Sequence, residues 1–142
     1  SSVIDTNLNS VFNMTRPVIN GMRSRGFGRI VNISSINGQK GQFGQTHYSA
    51  AKAGLLGFTR PLAQESAFKG ITVNALPPGY ICPDMVAAMD PSVLDKIVAQ
   101  IPVGRLGTPE EMGHLVSFLV SDQAGFITGA TLTANGGQYI AA

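Results

Sequence analysis

The chain has 142 residues, 44% of them hydrophobic and 13% charged, with ten basic and eight acidic side chains and a formal net charge of +2. A chain of this length supports one domain and one core, burying roughly 68–70% of its unfolded surface when complete, and the composition excludes disorder. The lone Cys82 excludes an internal disulfide framework and suits a reducing compartment, no apolar run nears the ~20 residues that span a bilayer, and no signal pattern opens the chain, so the expectation is a cytoplasmic protein without a membrane partner.

The first helix is expected over Val3–Met22, from the helical spacing of Val3, Ile4, Leu8, Val11, Phe12, Val18, Ile19 and Met22, with Pro17 interrupting it. Gly26 and Gly28 close it. Arg23, Arg25 and Arg29 read as a solvated helix end and turn, not as a nucleic-acid patch, so no nucleic-acid partner is expected. Ile30–Ile33 is a short buried strand. The glycine-bearing stretch Ile36–Thr46 reads as a loop, and a second helix is expected over Tyr48–Phe68, ending at Gly70. Ile71–Leu76 is the next strand, stopped by Pro77-Pro78-Gly79. A helix follows over about Pro91–Gln100. Thr108-Pro109-Glu110-Glu111 is a helix start with an N-cap threonine, proline at the first helical position and glutamate three residues after the cap. Ala130–Thr133 is the last strand. Alternation of strands and helices predicts a parallel sheet with crossover helices. Three strands alone leave unpaired edges, and a chain that opens inside a helix without Met reads as part of a larger domain.

Tyr48 and Lys52 are four residues apart, so on one helix their side chains meet one turn apart. A nearby ammonium stabilises a phenolate and lowers the phenol's pKa from near 10 toward neutrality. Ser35 lies just past the carboxyl end of the first strand, where open parallel sheets place their ligands, and Pro78-Gly79 lies at the end of the next. The two strand ends therefore converge on one site that can protonate a carbonyl oxygen. Alone, a Tyr-x-x-x-Lys spacing is common on helix surfaces. His47 and His114 read as surface residues, and Cys82 as an unreactive loop residue. No metal-ligand spacing is present, and Gly26-Phe27-Gly28 lacks the third glycine of a dinucleotide fingerprint.

Ile33-Ser34-Ser35, Tyr48-Ser49-Ala50-Ala51-Lys52-Ala53-Gly54, Val73-Asn74 and Pro78-Gly79, in this order and spacing, resemble the short-chain dehydrogenase/reductases. The likeness runs nearly end to end. Within the family, the loop Asn37–Gln45 and the stretch Asp95–Ala99 are most similar to acetoacetyl-CoA reductases of polyhydroxyalkanoate synthesis. The 3-oxoacyl-carrier-protein reductases share the same chemistry and are the alternative. The resemblance implies an α/β fold, the C-terminal portion of a doubly wound, Rossmann-type parallel sheet, with residues 1–142 forming one partial domain. It implies NADPH as hydride donor, an acyl-CoA thioester as substrate and a homotetramer. It makes Tyr48 the general acid and, with Lys52, a cofactor-binding residue, Lys52 lowering the phenol's pKa and holding the nicotinamide ribose hydroxyls. Ser35 holds the substrate carbonyl, and Asn7 anchors a water that relays protons to Lys52. Pro78, Gly79 and Ile81 pass under the nicotinamide, and Gln42, Phe43, Gln45 and Tyr80 line the acyl-thioester pocket. A reading of another class is a non-catalytic module that acts through subunit association.

The family's glycine-rich pyrophosphate turn is expected upstream of Ser1, along with the residues that choose between NAD and NADP. Three prolines depart from the family pattern. Pro61 falls inside the second helix, where a proline costs roughly 3 kcal/mol. Pro77 replaces a small residue before Pro78, and Pro83 replaces a threonine, removing a hydroxyl expected near the cofactor.

Overall fold

Helix α1 spans Ser10–Arg25 in the computed structural model, which describes residues 10–33, 56–82 and 90–138. It runs through Pro17 and three residues past the expected end at Met22. Gly26, at φ 70°, terminates it. Gly26 N–H donates to Arg23 O and Phe27 N–H to Met22 O, the paired bonds of a Schellman ending. The chain then enters β1, Gly28–Asn32.

Residues 56–66 form helix α2 within the crossover to the next strand. The helix continues through Pro61, which is exposed. A short 3-10 turn, Ala67–Lys69, and Gly70 at φ 77° lead into β2, Ile71–Ala75. The two strands pair in parallel, Gly28 opposite Ile71 through Asn32 opposite Ala75. Every residue of β2 is buried, as expected of a parallel strand covered on both faces.

The faces are separated by strand alternation. Ile30, Ile71 and Val73 join Ile19 of α1 and Ala63 of α2 in one buried cluster, with Met22 and Leu62 packed against it. The opposite face receives α4, Pro109–Val120, which packs on β1 and buries Leu119 completely. Arg29 locks that docking. Its Nε donates to Ser121 O at 3.2 Å at the end of α4, Nη1 bonds Gly28 O and Gly70 O, and the guanidinium lies 4.5 Å from the Phe27 ring centroid. The expected solvated arginine group is therefore divided. Arg23 and Arg25 occupy the last turn of α1, where cations suit the helix dipole, whereas the half-buried Arg29 straps α4 to the sheet.

Helix α3, Pro91–Ala99, starts on Asp90, which accepts from the Ser92 N–H and hydroxyl at 2.9 Å each. Helix α4 has the expected capping box: Thr108 accepts from Glu111 N–H, and the Glu111 side chain accepts from Thr108 N–H.

The expected last strand is corrected. Residues 130–134 run alongside β2, but only as isolated parallel bridges, Ala75 with Thr131 and Pro78 with Ala134. Ala75 N–H donates to Ala130 O, Leu132 N–H to Ala75 O, and Gly79 N–H to Ala134 O. A continuous parallel ladder needs residue 77 to donate to Leu132 O between these bonds. Pro77 has no N–H, so the ladder breaks there. Before the break, the side chain of Asn74 ties the neighbouring segment to β2. Fully buried, it donates through Nδ2 to Ile127 O and accepts through Oδ1 from Ala130 N–H, both at 3.0 Å. Val73 N–H donates to Thr128 Oγ1, and Gly129 N–H to Val73 O.

Candidate functional site

The carboxyl ends of β1 and β2 meet as the strand order requires. Leu76 N–H donates to Asn32 O at 2.8 Å, which sets the last residue of β1 beside the start of Pro77-Pro78-Gly79. Asn32 stands three positions before Ser35. Its side-chain Nδ2 is buried there without a hydrogen-bond partner among the described residues. Asn7, Ser35, Tyr48 and Lys52 lie outside the described residues, as do Gln42, Phe43, Gln45, His47, Pro83 and the loop Ile36–Thr46. Of the expected site, the structure describes Pro78, Gly79, Tyr80 and Ile81, one continuous segment leaving β2.

That segment is held from two sides. Gly79 bonds the 134 stretch, and the approach is so close that a Cβ on Gly79 would lie 2.6 Å from Asn135 Cβ. A side chain there would push the two backbones apart, so the position requires glycine. Further along, Ile81 bridges Gly107: Gly107 N–H donates to Tyr80 O and Cys82 N–H to Gly107 O. In an extended segment the groups of successive residues alternate in direction. With Tyr80 O and Cys82 N–H turned toward Gly107, the N–H and C=O of Ile81 turn away from it. Neither makes a bond to another described residue. One donor beside one acceptor, both unbonded among the described residues, complements a primary carboxamide, which carries the same pair reversed. This segment therefore fits the amide end of a nicotinamide.

Tyr80 and Ile81 also wall a cavity of about 690 Å³ whose apolar lining comes from Ile101, Val103, Met112 and Leu115. At its polar edge Arg105 and Glu111 form a bidentate pair, Nη1 to Oε1 at 2.7 Å and Nη2 to Oε2 at 3.0 Å. His114 lies on the same edge and is exposed. Cys82 is exposed and unpaired with any other cysteine. Among the described residues there is no cluster of potential metal ligands and no helix long and apolar enough to cross a membrane.

The Arg105 guanidinium, and after it the Thr108 N–H, hold the Glu111 carboxyl down from its usual 4.5 to about 2. The folded value is below the unfolded one, so the carboxylate stabilises the fold above about pH 4.5, and that contribution is lost as pH falls toward about 2. The urea midpoint of the protein is expected to exceed that of Glu111→Gln at neutral pH, with the gap closing through this acid window. Asp90, lowered by its bonds from Ser92, is common to both proteins and cancels in the difference. A gap that stays constant down to pH 2 contradicts the assignment.

Asn74, Arg29 and Gly107 have no role in the sequence reading. Asn74 was visible there only as part of a motif, and Arg29 only as part of a charge group. Their partners are 53–56 and 92 residues away, beyond any local signal.

The family model described as enoyl-(acyl carrier protein) reductase matches residues 1–138. An acetoacetyl-CoA reductase of Rhizobium meliloti (strain 1021) is 69% identical over 140 residues, 98% of this chain and 58% of the relative. One of the same name from Cupriavidus necator is 63% identical over 139 residues, covering 98% and 56%. A 3-oxoacyl-(acyl-carrier-protein) reductase of Pseudomonas aeruginosa is 49% identical over 138 residues, covering 97% and 56%. The chain thus spans 56–58% of the length of these curated relatives. With the motif order, the parallel strands and this match along nearly its whole length, the chain belongs to the short-chain dehydrogenase/reductase family.

Proposed function

We propose that the protein, at full length, reduces a 3-ketoacyl thioester with NADPH, converting acetoacetyl-CoA to 3-hydroxybutyryl-CoA in polyhydroxybutyrate synthesis. The observation that carries this reading is the higher identity to acetoacetyl-CoA reductases than to the carrier-protein reductase. The nicotinamide, when bound, supplies the hydride to the keto carbon. The chain's own part is the proton and the pose. Tyr48 donates its phenolic proton to the carbonyl oxygen, so the C=O becomes a C–H and an O–H. Lys52 lowers the phenol's pKa and binds the ribose hydroxyls, and Asn7 anchors the water that returns the proton through Lys52. Ser35 donates a hydrogen bond to the same carbonyl oxygen as negative charge builds on it.

Pro78, Gly79 and Ile81 orient the carboxamide; the N–H and C=O of Ile81, unbonded among the described residues, support that role. Tyr80, with Gln42, Phe43 and Gln45, receives the acyl thioester, and the apolar cavity beside Tyr80 suits its acyl portion. Exposed apolar side chains on helices, Val18 on α1 and Phe118 and Val120 on α4, support a homotetramer. We place it in the cytoplasm, where the thiol of Cys82 stays reduced. The direct test follows NADPH consumption by the full-length protein with acetoacetyl-CoA and with acetoacetyl-carrier protein. The CoA thioester is expected to be turned over with the higher kcat/KM. Faster turnover of the carrier-protein thioester would reverse the substrate assignment, and consumption with neither would end it.

A further inference from the structure

The Ile81 segment is gripped by a residue that the reading above leaves without a role. Gly107 N–H donates to Tyr80 O at 2.9 Å, and Gly107 O accepts from Cys82 N–H at 2.8 Å, so one residue brackets Ile81 on both sides. The contact is close: a Cβ on Gly107 would lie 2.8 Å from Ile81 Cδ1. What holds Gly107 is the start of α4. Glu111 Oε1 accepts from Thr108 N–H at 3.0 Å and from Arg105 Nη1 at 2.7 Å, and Oε2 accepts from Arg105 Nη2 at 3.0 Å. The same Nη1 donates to Leu106 O at 3.0 Å. Arg105, Leu106 and Thr108 are thereby fastened to a single carboxylate, and Gly107 is the residue between them that faces Ile81.

Both side chains of the ion pair are about half exposed, 55% and 50%, and an isolated pair of that kind adds little stability. This pair is bidentate, however, and its carboxylate also closes a capping box. Such an arrangement supplies geometry more than energy. It fixes where the peptide before α4 sits, and hence where Ile81 points.

We propose that Arg105 and Glu111 are positioning residues that act through Gly107 to hold the Tyr80–Cys82 backbone so that Ile81 presents its N–H and C=O to the nicotinamide carboxamide. This rests on the cofactor reading above. Neither residue touches the reacting atoms.

Two measurements on the whole protein test it. In the cofactor-free state, Glu111→Ala is expected to speed amide hydrogen exchange at Gly107 and Cys82 roughly tenfold, the scale set by loss of a helix cap, while the β1–β2 ladder amides stay unchanged. Arg105→Lys keeps the charge and loses the fork, so it shifts the same two amides in the same direction. In turnover, the natural cofactor is compared with its 3-acetylpyridine analogue, which lacks the amide N–H₂. The wild type is expected to favour the natural cofactor, and Glu111→Ala to lose most of that preference. Unchanged exchange at Gly107 and Cys82 overturns the clamp. Equal losses with both cofactors overturn the positioning role and leave a merely structural one. A wild type that uses both cofactors equally well overturns the carboxamide contact itself, and the exchange data tell that failure apart from failure of the clamp.

Discussion

Tyr48→Phe is expected to lower kcat/KM by about 10²–10⁴-fold, the range that a positioned general acid contributes. Phenylalanine keeps the ring and its packing and removes only the hydroxyl, so the fold and the thermal midpoint should barely move. NADPH affinity, read by fluorescence titration, is expected to stay within a few-fold, because the phenol's main work is proton transfer. Lys52→Ala should combine a comparable loss in kcat with weaker cofactor binding, since Lys52 serves both the phenol and the ribose. Near-normal turnover in Tyr48→Phe would mean that the proton comes from elsewhere and that the proposed mechanism is wrong.

The second large effect concerns stability. Asn74→Leu is expected to destabilise the protein by about 3–4 kcal/mol, because it removes two hydrogen bonds at once and strands Ile127 O and Ala130 N–H. Each buried group left unpaired costs about 1–3 kcal/mol. For a chain of this size the thermal midpoint should fall by about 10 °C. Leucine matches asparagine closely in shape, so the loss reports the bonds and not a cavity. Asn74 is 0% exposed, and no water can replace either partner without opening the sheet. A change below about 1 kcal/mol would show that residues 127–130 are held mainly by the backbone bonds at Val73 and Ala75.

The contrast between α4 and the last strand explains what could be read in advance. The start of α4 was legible because every part of its signal lies within Thr108–Glu111, and a capping box is a local bond pattern. The Ala130–Thr133 stretch has an equally plausible strand composition, yet it makes only bridges, because Pro77 on the neighbouring segment lacks the donor the ladder needs. The consequence of that proline falls on a segment some fifty residues away. The end of α1 was legible at Gly26, the residue able to take the left-handed ending, although the apolar spacing stops at Met22 and the polar Arg23, Ser24 and Arg25 carry the helix on to it. In the candidate site, Pro78, Gly79 and Ile81 were singled out through the family motif. The grip of Gly107 on Ile81 was not, since bonds between segments leave no periodicity in either one.

The sequence by itself determined the alternation of helix and strand and the family, and it singled out Asn7, Ser35, Tyr48 and Lys52 as the candidate set, because these rest on local spacing and on motif order. Only the tertiary structure decided which backbone groups were left free and which side chains tied distant segments together. Asn74 ties residues 127–130 to β2, Arg29 straps α4 to the sheet, and Gly107 brackets Ile81. The physical reason is the same in each case. A hydrogen bond between segments depends on where the fold brings them, and most buried donors and acceptors find their partners only there.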